Sequence, residues 1–334
     1  MNDLVIGIDV SCATLDIAYK VQNQWVDLQI ENTVEAIECF LKDFNSQTTQ
    51  FVLEPTGTYS DKLICTLDRL RYTLKLLNPQ KSSAFMQVLG ITSKDDKQSA
   101  RALAIAGKTL DLVDYQMPKE AIKKRKQLQM VLNALEKQQR QIKNQIHSLE
   151  QYHTIHELAL NALQKVLETL EQNIQKIENE FKAITDIAFD RFKKLACSVI
   201  GIGAKSAHLL YIYTNGFEIF AKDKQLLKFV GTVPATQQSG SSVYKRGHIT
   251  KAGPASIRAT LYNATKSAVR FNKECKELFE RLRTKGKPHK VARVAVINKL
   301  LRQTFAVVKS GVKFDNDYQR KIKEQIQNNQ QLKK

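Results

Sequence analysis

Short apolar runs and helical spacings alternate through the first 115 residues, and the alternation predicts an α/β domain. Leu4-Val5-Ile6-Gly7-Ile8 reads as a buried strand, Leu15 to Tyr19 and Trp25 to Ile30 as two more, and Val34 to Phe44 as a helix. Gln50 to Glu54 then reads as a strand, Tyr59 to Leu70 as a helix, and Tyr72 to Leu77 as a strand closed by Asn78-Pro79. Three strands ahead of the first helix point to a mixed sheet.

The pattern changes after Lys119. From there to Ile200 the chain has neither glycine nor proline and is rich in Leu, Gln, Lys and Glu, which predicts long helices, an antiparallel pair turning near Tyr152 to His156. Such a pair is ordinarily a spacer or dimerisation arm; the basic cluster Lys123-Lys124-Arg125-Lys126 gives it a second reading as a nucleic-acid contact. At Val199-Ile200-Gly201-Ile202-Gly203 a Gly-x-Gly turn stands between apolar helical stretches, as in a helix-hairpin-helix, where turn amides can hold a backbone phosphate. A plain interhelical turn satisfies the same glycines. The expected divisions are a metal-binding domain at 1–115, a helical spacer at 116–185, a basic, mostly α-helical domain at 186–315 and a polar, fraying tail at 316–334.

Charge sharpens this division. The 334 residues carry a net +19, yet residues 186–334 alone hold 30 Lys and Arg against 10 Asp and Glu. That segment, at +20, carries the whole excess and makes a polyanion the first partner to consider. The five cysteines, Cys12, Cys39, Cys65, Cys197 and Cys275, include no CxxC pair, which argues against zinc and a disulfide framework and fits a reducing cytoplasm. No apolar run approaches the roughly 20 residues of a membrane span, so a soluble chain is expected.

Candidate chemistry lies where apolar strands end in acids. Asp9 closes Ile6-Gly7-Ile8, and Glu54 closes Phe51-Val52-Leu53 just before Pro55 and Gly57 turn the chain away. A Gly-Ile-Asp strand also opens the actin-like kinases, but their further glycine-rich phosphate loops have no match here. Two strand-end carboxylates imply convergence on a hard cation, Mg2+ or Mn2+, and two-metal phosphoryl transfer needs several carboxylates around ions about 3.5–4 Å apart. A third acid is expected from a helix packed across the strands, and Ser93-Lys94-Asp95-Asp96-Lys97-Gln98-Ser99-Ala100-Arg101-Ala102-Leu103-Ala104 supplies it.

With this segment the chain resembles the DEDD transposases, the IS-one-ten insertion-sequence family that includes the Piv DNA invertases, which carry Lys-Thr-Asp-x-x-Asp-Ala-x-x-Leu-Ala here. The resemblance implies a RuvC-like, RNase H-type fold at the amino end. It places the family's first Asp on Asp9, the Glu of its Glu-Pro-Thr-Gly motif on Glu54 and its third acid on Asp96. The fourth acid falls on Ser99, a departure that removes a charge and a good Mg2+ ligand. At about 100° per residue, Asp95 and Asp96 flank the azimuth of position 99 one turn earlier, making Asp95 a candidate substitute.

Further on, Val233-Pro234-Ala235-Thr236-Gln237-Gln238-Ser239-Gly240-Ser241-Ser242 precedes Lys245-Arg246-Gly247-His248-Ile249-Thr250-Lys251-Ala252-Gly253. By composition this is a polar, basic loop suited to phosphate contact. The family carries Pro-x-x-x-x-Ser-Gly and then Gly-x-Ile-Ser/Thr-Lys-x-Gly, and the resemblance puts a catalytic serine on Ser239, with Ser241 as runner-up. Lys94, Lys205, Lys245, Arg246, Lys251 and Arg258 are the expected nucleic-acid contacts; Arg281 to Lys290 reads equally as a solvated basic loop. The resemblance further implies DNA as substrate, a homo-oligomer (dimer or tetramer) and, in insertion-sequence members, a structured guide RNA. The expected function is cutting and rejoining of DNA. The rival is a catalytically degenerate DNA- or RNA-binding relative, with Ser99 as its mark.

Overall fold

The computed structural model describes residues 4–91, 95–235 and 248–318, together with the backbone of Gln238, Ser239, Val243 and Tyr244. The chain divides into two compact units, Met1–Met117 and Pro118–Lys334. The helices after Lys119 thus share a unit with the basic segment.

The first unit is built on one five-stranded sheet. Strands β1 (Leu4–Val10), β2 (Thr14–Val21) and β3 (Gln24–Glu31) form an antiparallel meander, and after helix α1 (Val34–Leu41) strand β4 (Thr49–Leu53) enters parallel to β1. Helix α2 (Asp61–Arg69) leads to β5 (Thr73–Leu76), parallel to β4, giving the order β3-β2-β1-β4-β5. Helices α3 (Pro79–Val88) and α4 (Asp96–Thr109) complete the unit. This is the RNase H-like, RuvC-like fold expected of the amino end.

Alternation along β1 decides what faces what. Ile6, Ile8 and Val10 join the buried cluster with Ile37, Leu41, Leu63 and Leu67, so the even positions face α1 and α2. The odd positions, Val5, Gly7 and Asp9, face α4. A Cβ on Gly7 would sit 2.0 Å from the Ala100 carbonyl oxygen and 2.4 Å from the Ala104 nitrogen, so the α4 backbone lies directly on the strand. Ala100, Ala104 and Gly107 keep that helix face flat, and Arg101 fixes its angle by pairing with Asp27 of β3 and covering Trp25. Because α4 crosses this closely, its first turn comes to rest beside the end of β1.

The second unit opens with α5 (Glu120–Leu149) and α6 (Glu157–Ala183). Their pairing is antiparallel: Lys143 and Gln139 meet Glu171 far along the hairpin, while Arg125 reaches Phe181 and Ile184 at its base. Helices α7 (Ile187–Ala196), α8 (Ala204–Thr214), α9 (Asp223–Val230), α10 (Ala255–Phe271), α11 (Lys273–Thr284) and α12 (His289–Ser310) enclose a core of Phe192, Val199, Leu210, Phe217, Leu261, Val296 and Leu300, which Ile122 of α5 joins. Four two-residue strands, β6 (Pro234–Ala235), β7 (Gln238–Ser239), β8 (Val243–Tyr244) and β9 (His248–Ile249), lie between α9 and α10. No described helix is long and apolar enough to cross a membrane.

The basic cluster at the hairpin base turns out to be structural at its centre. Arg125 is 3% exposed, donates to the Phe181 and Ile184 carbonyls, lies over the Phe189 ring and pairs with Asp186, which also accepts from the Tyr211 hydroxyl. Sequence showed the charge of Arg125; only the packing shows its burial. The Gly-x-Gly turn between α7 and α8 is likewise a packing device. Gly201 has φ +110°, and a Cβ there would come within 2.7 Å of Ala268 in α10.

Candidate active site

Asp9 near the end of β1, Glu54 immediately after β4, and Asp96 and Ser99 in the first turns of α4 all line one cavity of about 740 Å3. The convergence follows from the fold. Parallel β1 and β4 are neighbours with Ile8 beside Leu53, so the residues that follow each lie at the same sheet edge. Asp96 and Ser99 share the stripe of α4 that, farther along, packs on Gly7 through Ala100 and Ala104. The stripe is small and apolar over the strand and polar over its end.

Electrostatics mark the cavity as a place for a cation. Asp9 is half-buried and its carboxyl is raised above the ordinary Asp value, first by desolvation, then by the charges of Asp96 and Glu54; the neighbouring Val10 amide and Ser99 hydroxyl pull the other way. An oxygen-only donor set with uncompensated negative charge fits a hard divalent ion in kind. Among the described residues, no three such groups are close enough to grip an ion as they stand. Asp95, the candidate substitute for the fourth acid, stands apart from the cavity in this structure. Its carboxylate caps α4 by accepting from the Lys97 amide at 3.2 Å, and it does not line the cavity.

The serine segment is fastened at its base. Pro234 pairs with Ile249 and Ala235 with His248, the Thr250 amide donates to the Val233 carbonyl, and the Lys251 amide to that of Gly231. Beyond that ladder the backbone of Ser239 in β7 pairs with Val243 in β8. Arg258 of α10 donates to the carbonyls of Val230, at 3.1 Å, and Gly253, on the two sides of this base. The sequence marked Arg258 as a phosphate contact; the structure gives its guanidinium a positioning task.

Two family profiles match the chain: a DEDD-type IS110 transposase profile over residues 6–154 and the Transposase IS116/IS110/IS902 family over residues 193–280. The first spans Asp9, Glu54, Asp96 and Ser99, the second Ser239. The chain belongs to the IS110 family of DEDD transposases. Pilin gene-inverting proteins of Moraxella lacunata and Moraxella bovis are each 26% identical over 326 residues, spanning 94% of this chain and 98% of theirs. The insertion element IS110 uncharacterized 43.6 kDa protein of Streptomyces coelicolor is 20% identical over 119 residues, 36% of this chain and 29% of that one. Among solved structures, T. thermophilus RuvC in complex with a Holliday junction substrate matches at 10% identity and TM-score 0.26, covering 34% of this chain and 99% of its own.

The remaining sequence-marked cations fall into three groups. Lys251 is exposed beside the serine base, with φ +53°. Lys205, at the start of α8, pairs with Glu136 of α5 at 2.9 Å. Lys94, Lys245 and Arg246, like Ser241, lie outside the described residues. Sequence reasoning missed Asp16, which is 4% exposed, faces Asp9 across the β1–β2 ladder and accepts from Gln29 at 2.9 Å, but does not line the cavity. It also missed α3, whose Ser83, Met86 and Gln87 form another wall. The signal for α3 was present: Asn78 accepts from the Gln80 amide and Pro79 follows, a helix start of ordinary design.

Proposed function

We propose that this transposase cuts and rejoins DNA strands, with Asp9, Glu54 and Asp96 as ligands for Mg2+ or Mn2+ and Ser239 as nucleophile. The observation that supports the reading is the convergence of carboxylates from three separate elements, β1, the turn after β4 and the first turn of α4, on one cavity. A divalent ion bound there supplies positive charge to the phosphate oxygens and to the departing sugar oxygen. Ser99 brings a neutral hydroxyl to the cavity, where it lowers the Asp9 carboxyl slightly, instead of adding a fourth charge.

In the proposed step the Ser239 Oγ attacks the phosphorus of a phosphodiester. An Oγ–P bond forms, one P–O bond to a sugar breaks, and the serine proton ends on the freed sugar oxygen by way of solvent. One DNA end is then esterified to the protein and the other carries a free hydroxyl. Attack by a hydroxyl from a different DNA end reverses the step and rejoins the strands, so the exchange conserves bond energy and consumes no nucleotide. Inversion, the activity in the names of the Moraxella relatives, and transposition both reduce to this exchange. A guide RNA and a homo-oligomer belong to the same proposal, the +20 segment offering RNA as well as DNA a positive surface.

The test is nicking of a supercoiled plasmid carrying the DNA that flanks the gene, with Mg2+ or with EDTA. Wild type is expected to give nicked and protein-linked DNA only with the metal, and Asp9→Ala and Ser239→Ala to give neither. Binding without nicked or linked product would instead favour the degenerate relative, the reading to which Ser99 lends weight. Linkage that survives Ser239→Ala moves the nucleophile elsewhere.

A further inference from the structure

The cavity that gathers the acids has a second wall of opposite character. Pro79, Ser83, Met86 and Gln87 recur at helical spacing on one face of α3, and Ile91 extends that face just past the helix end. None of these residues is ionisable. The helix contributes little to the core: of its ten residues only Ser82 is buried, the Ser82 hydroxyl finds no hydrogen-bond partner, and Val88 is 82% exposed. Phe85 is its main anchor, resting against the cluster of Val52, Leu77 and Leu103. A helix held so lightly, yet begun with a capped Asn-Pro start, has its purpose on the cavity side.

The chemistry of that side is selective. A cavity of about 740 Å3 is far larger than one or two hydrated ions fill, and falls within the size range of small-molecule pockets. The phosphate of a DNA strand belongs at the carboxylate wall, where the cation neutralises it. The sugar and base beside it are uncharged, with apolar faces and hydrogen-bonding edges. Met86 offers a polarisable thioether suited to packing on flat rings. Gln87 offers an amide that pairs with base edges, and Ser83 a hydroxyl that donates or accepts.

We propose that the Ser83, Met86 and Gln87 face of α3 seats the deoxynucleotide next to the scissile phosphate and thereby sets which base is tolerated beside the cut. The inference rests on the reading of the cavity as a strand-cutting centre, and α3 acts in it as a specificity element that leaves the bond-breaking to the acids.

The experiment uses the full chain, Mg2+ and a plasmid library carrying the gene's flanking DNA with the nucleotides around the cut randomised; nicked ends are sequenced and rates taken over a range of DNA concentrations. Gln87→Ala and Met86→Ala are expected to flatten base preference at one flanking position and to raise the KM for DNA about tenfold, more than they lower kcat. Calorimetric Mn2+ binding should match wild type for both variants. Because Gln87 is exposed, its variant should melt with wild type, which separates lost contact from lost fold. Unchanged base preference and KM, in a wild type that nicks and an Asp9→Ala variant that does not, would sink the α3 assignment alone. Failure of wild type to nick, or nicking that persists in Asp9→Ala, would sink it together with the cutting reading.

Discussion

The acidic cavity of the first unit and the serine segment of the second are built by opposite means. The cavity is fixed by main chain lying on main chain, with α4 pressed onto β1 at Gly7 and the acids carried on strand ends and a helix start. The serine segment lies between two helices, and its base is tied by a two-residue ladder and one arginine. Cation ligands demand fixed positions, because an ion tolerates little error in its oxygen donors. On the proposed reading, a nucleophile that must form, hold and surrender a bond to DNA stands on a segment between helices that is fastened at its base. The difference makes the first site intolerant of added volume and the second sensitive to loss of a few hydrogen bonds.

The harshest test of that contrast is Gly7→Val. With Ala100 oxygen 2.0 Å from the position of a Cβ, the strand and α4 must part, at a cost of about 3 kcal/mol, the upper end for overpacking. Melting of the first unit should fall and calorimetric Mn2+ binding vanish although every acid is present; retained metal binding would mean that the crossing does not set the site. Arg258→Ala is expected to act more mildly. It leaves the Val230 and Gly253 carbonyls without their donor, a loss of about 1–3 kcal/mol, and should lower the yield of protein-linked DNA about tenfold while metal binding stays intact. Loss of metal binding in that variant would erase the distinction between the two regions.

Mild acid supplies the gentlest comparison, because the units should respond with opposite sign. Burial, with Arg125 and Lys193 nearby, depresses His208 of α8 to about 4, among the rings of Phe181 and Phe189. Its contribution to stability is complete above the ordinary His value of 6.5 and is lost as pH falls from there toward 4, about 2 kcal/mol by pH 5. Asp9 is raised, so its linked stability is present at low pH and lost as pH rises through its folded value. Calorimetry from pH 7 to pH 5 should lower the melting of the second unit and not that of the first. His208→Gln should flatten the slope of the second unit, and an unaltered slope would refute the assignment.

The strands and the hairpin were legible because their patterns are local. Short apolar runs marked β1 to β5, and the glycine-free stretch marked α5 and α6 with a turn within the Glu150 to His156 connection. The shared edge of Asp9 and Glu54 could be read because each stands at the end of an apolar strand, and the two strands lie parallel as neighbours. Asp95 and Asp96 could not be told apart by azimuth alone, since which of two adjacent acids caps a helix depends on where the first turn begins. The burial of Arg125 could not be read because composition records charge and is blind to the carbonyls that surround it, and the same blindness hid the carbonyl bonds of the half-buried Arg258. Helix α3 escaped because one buried residue in ten leaves no apolar stripe to detect.

The α5–α6 hairpin turns the buried Arg125 into the fulcrum of a lever. Thirty residues at 1.5 Å each make α5 about 45 Å long, the length of roughly 13 base pairs of duplex at about 3.4 Å per pair. Over that arm a tilt of only about 5° at the base sweeps the tip through about 4 Å, more than one base-pair step. The hydrogen bonds from Arg125 to Phe181 and Ile184 therefore act as a calibration as well as a clamp: they set where the tip of the hairpin stands relative to its own base.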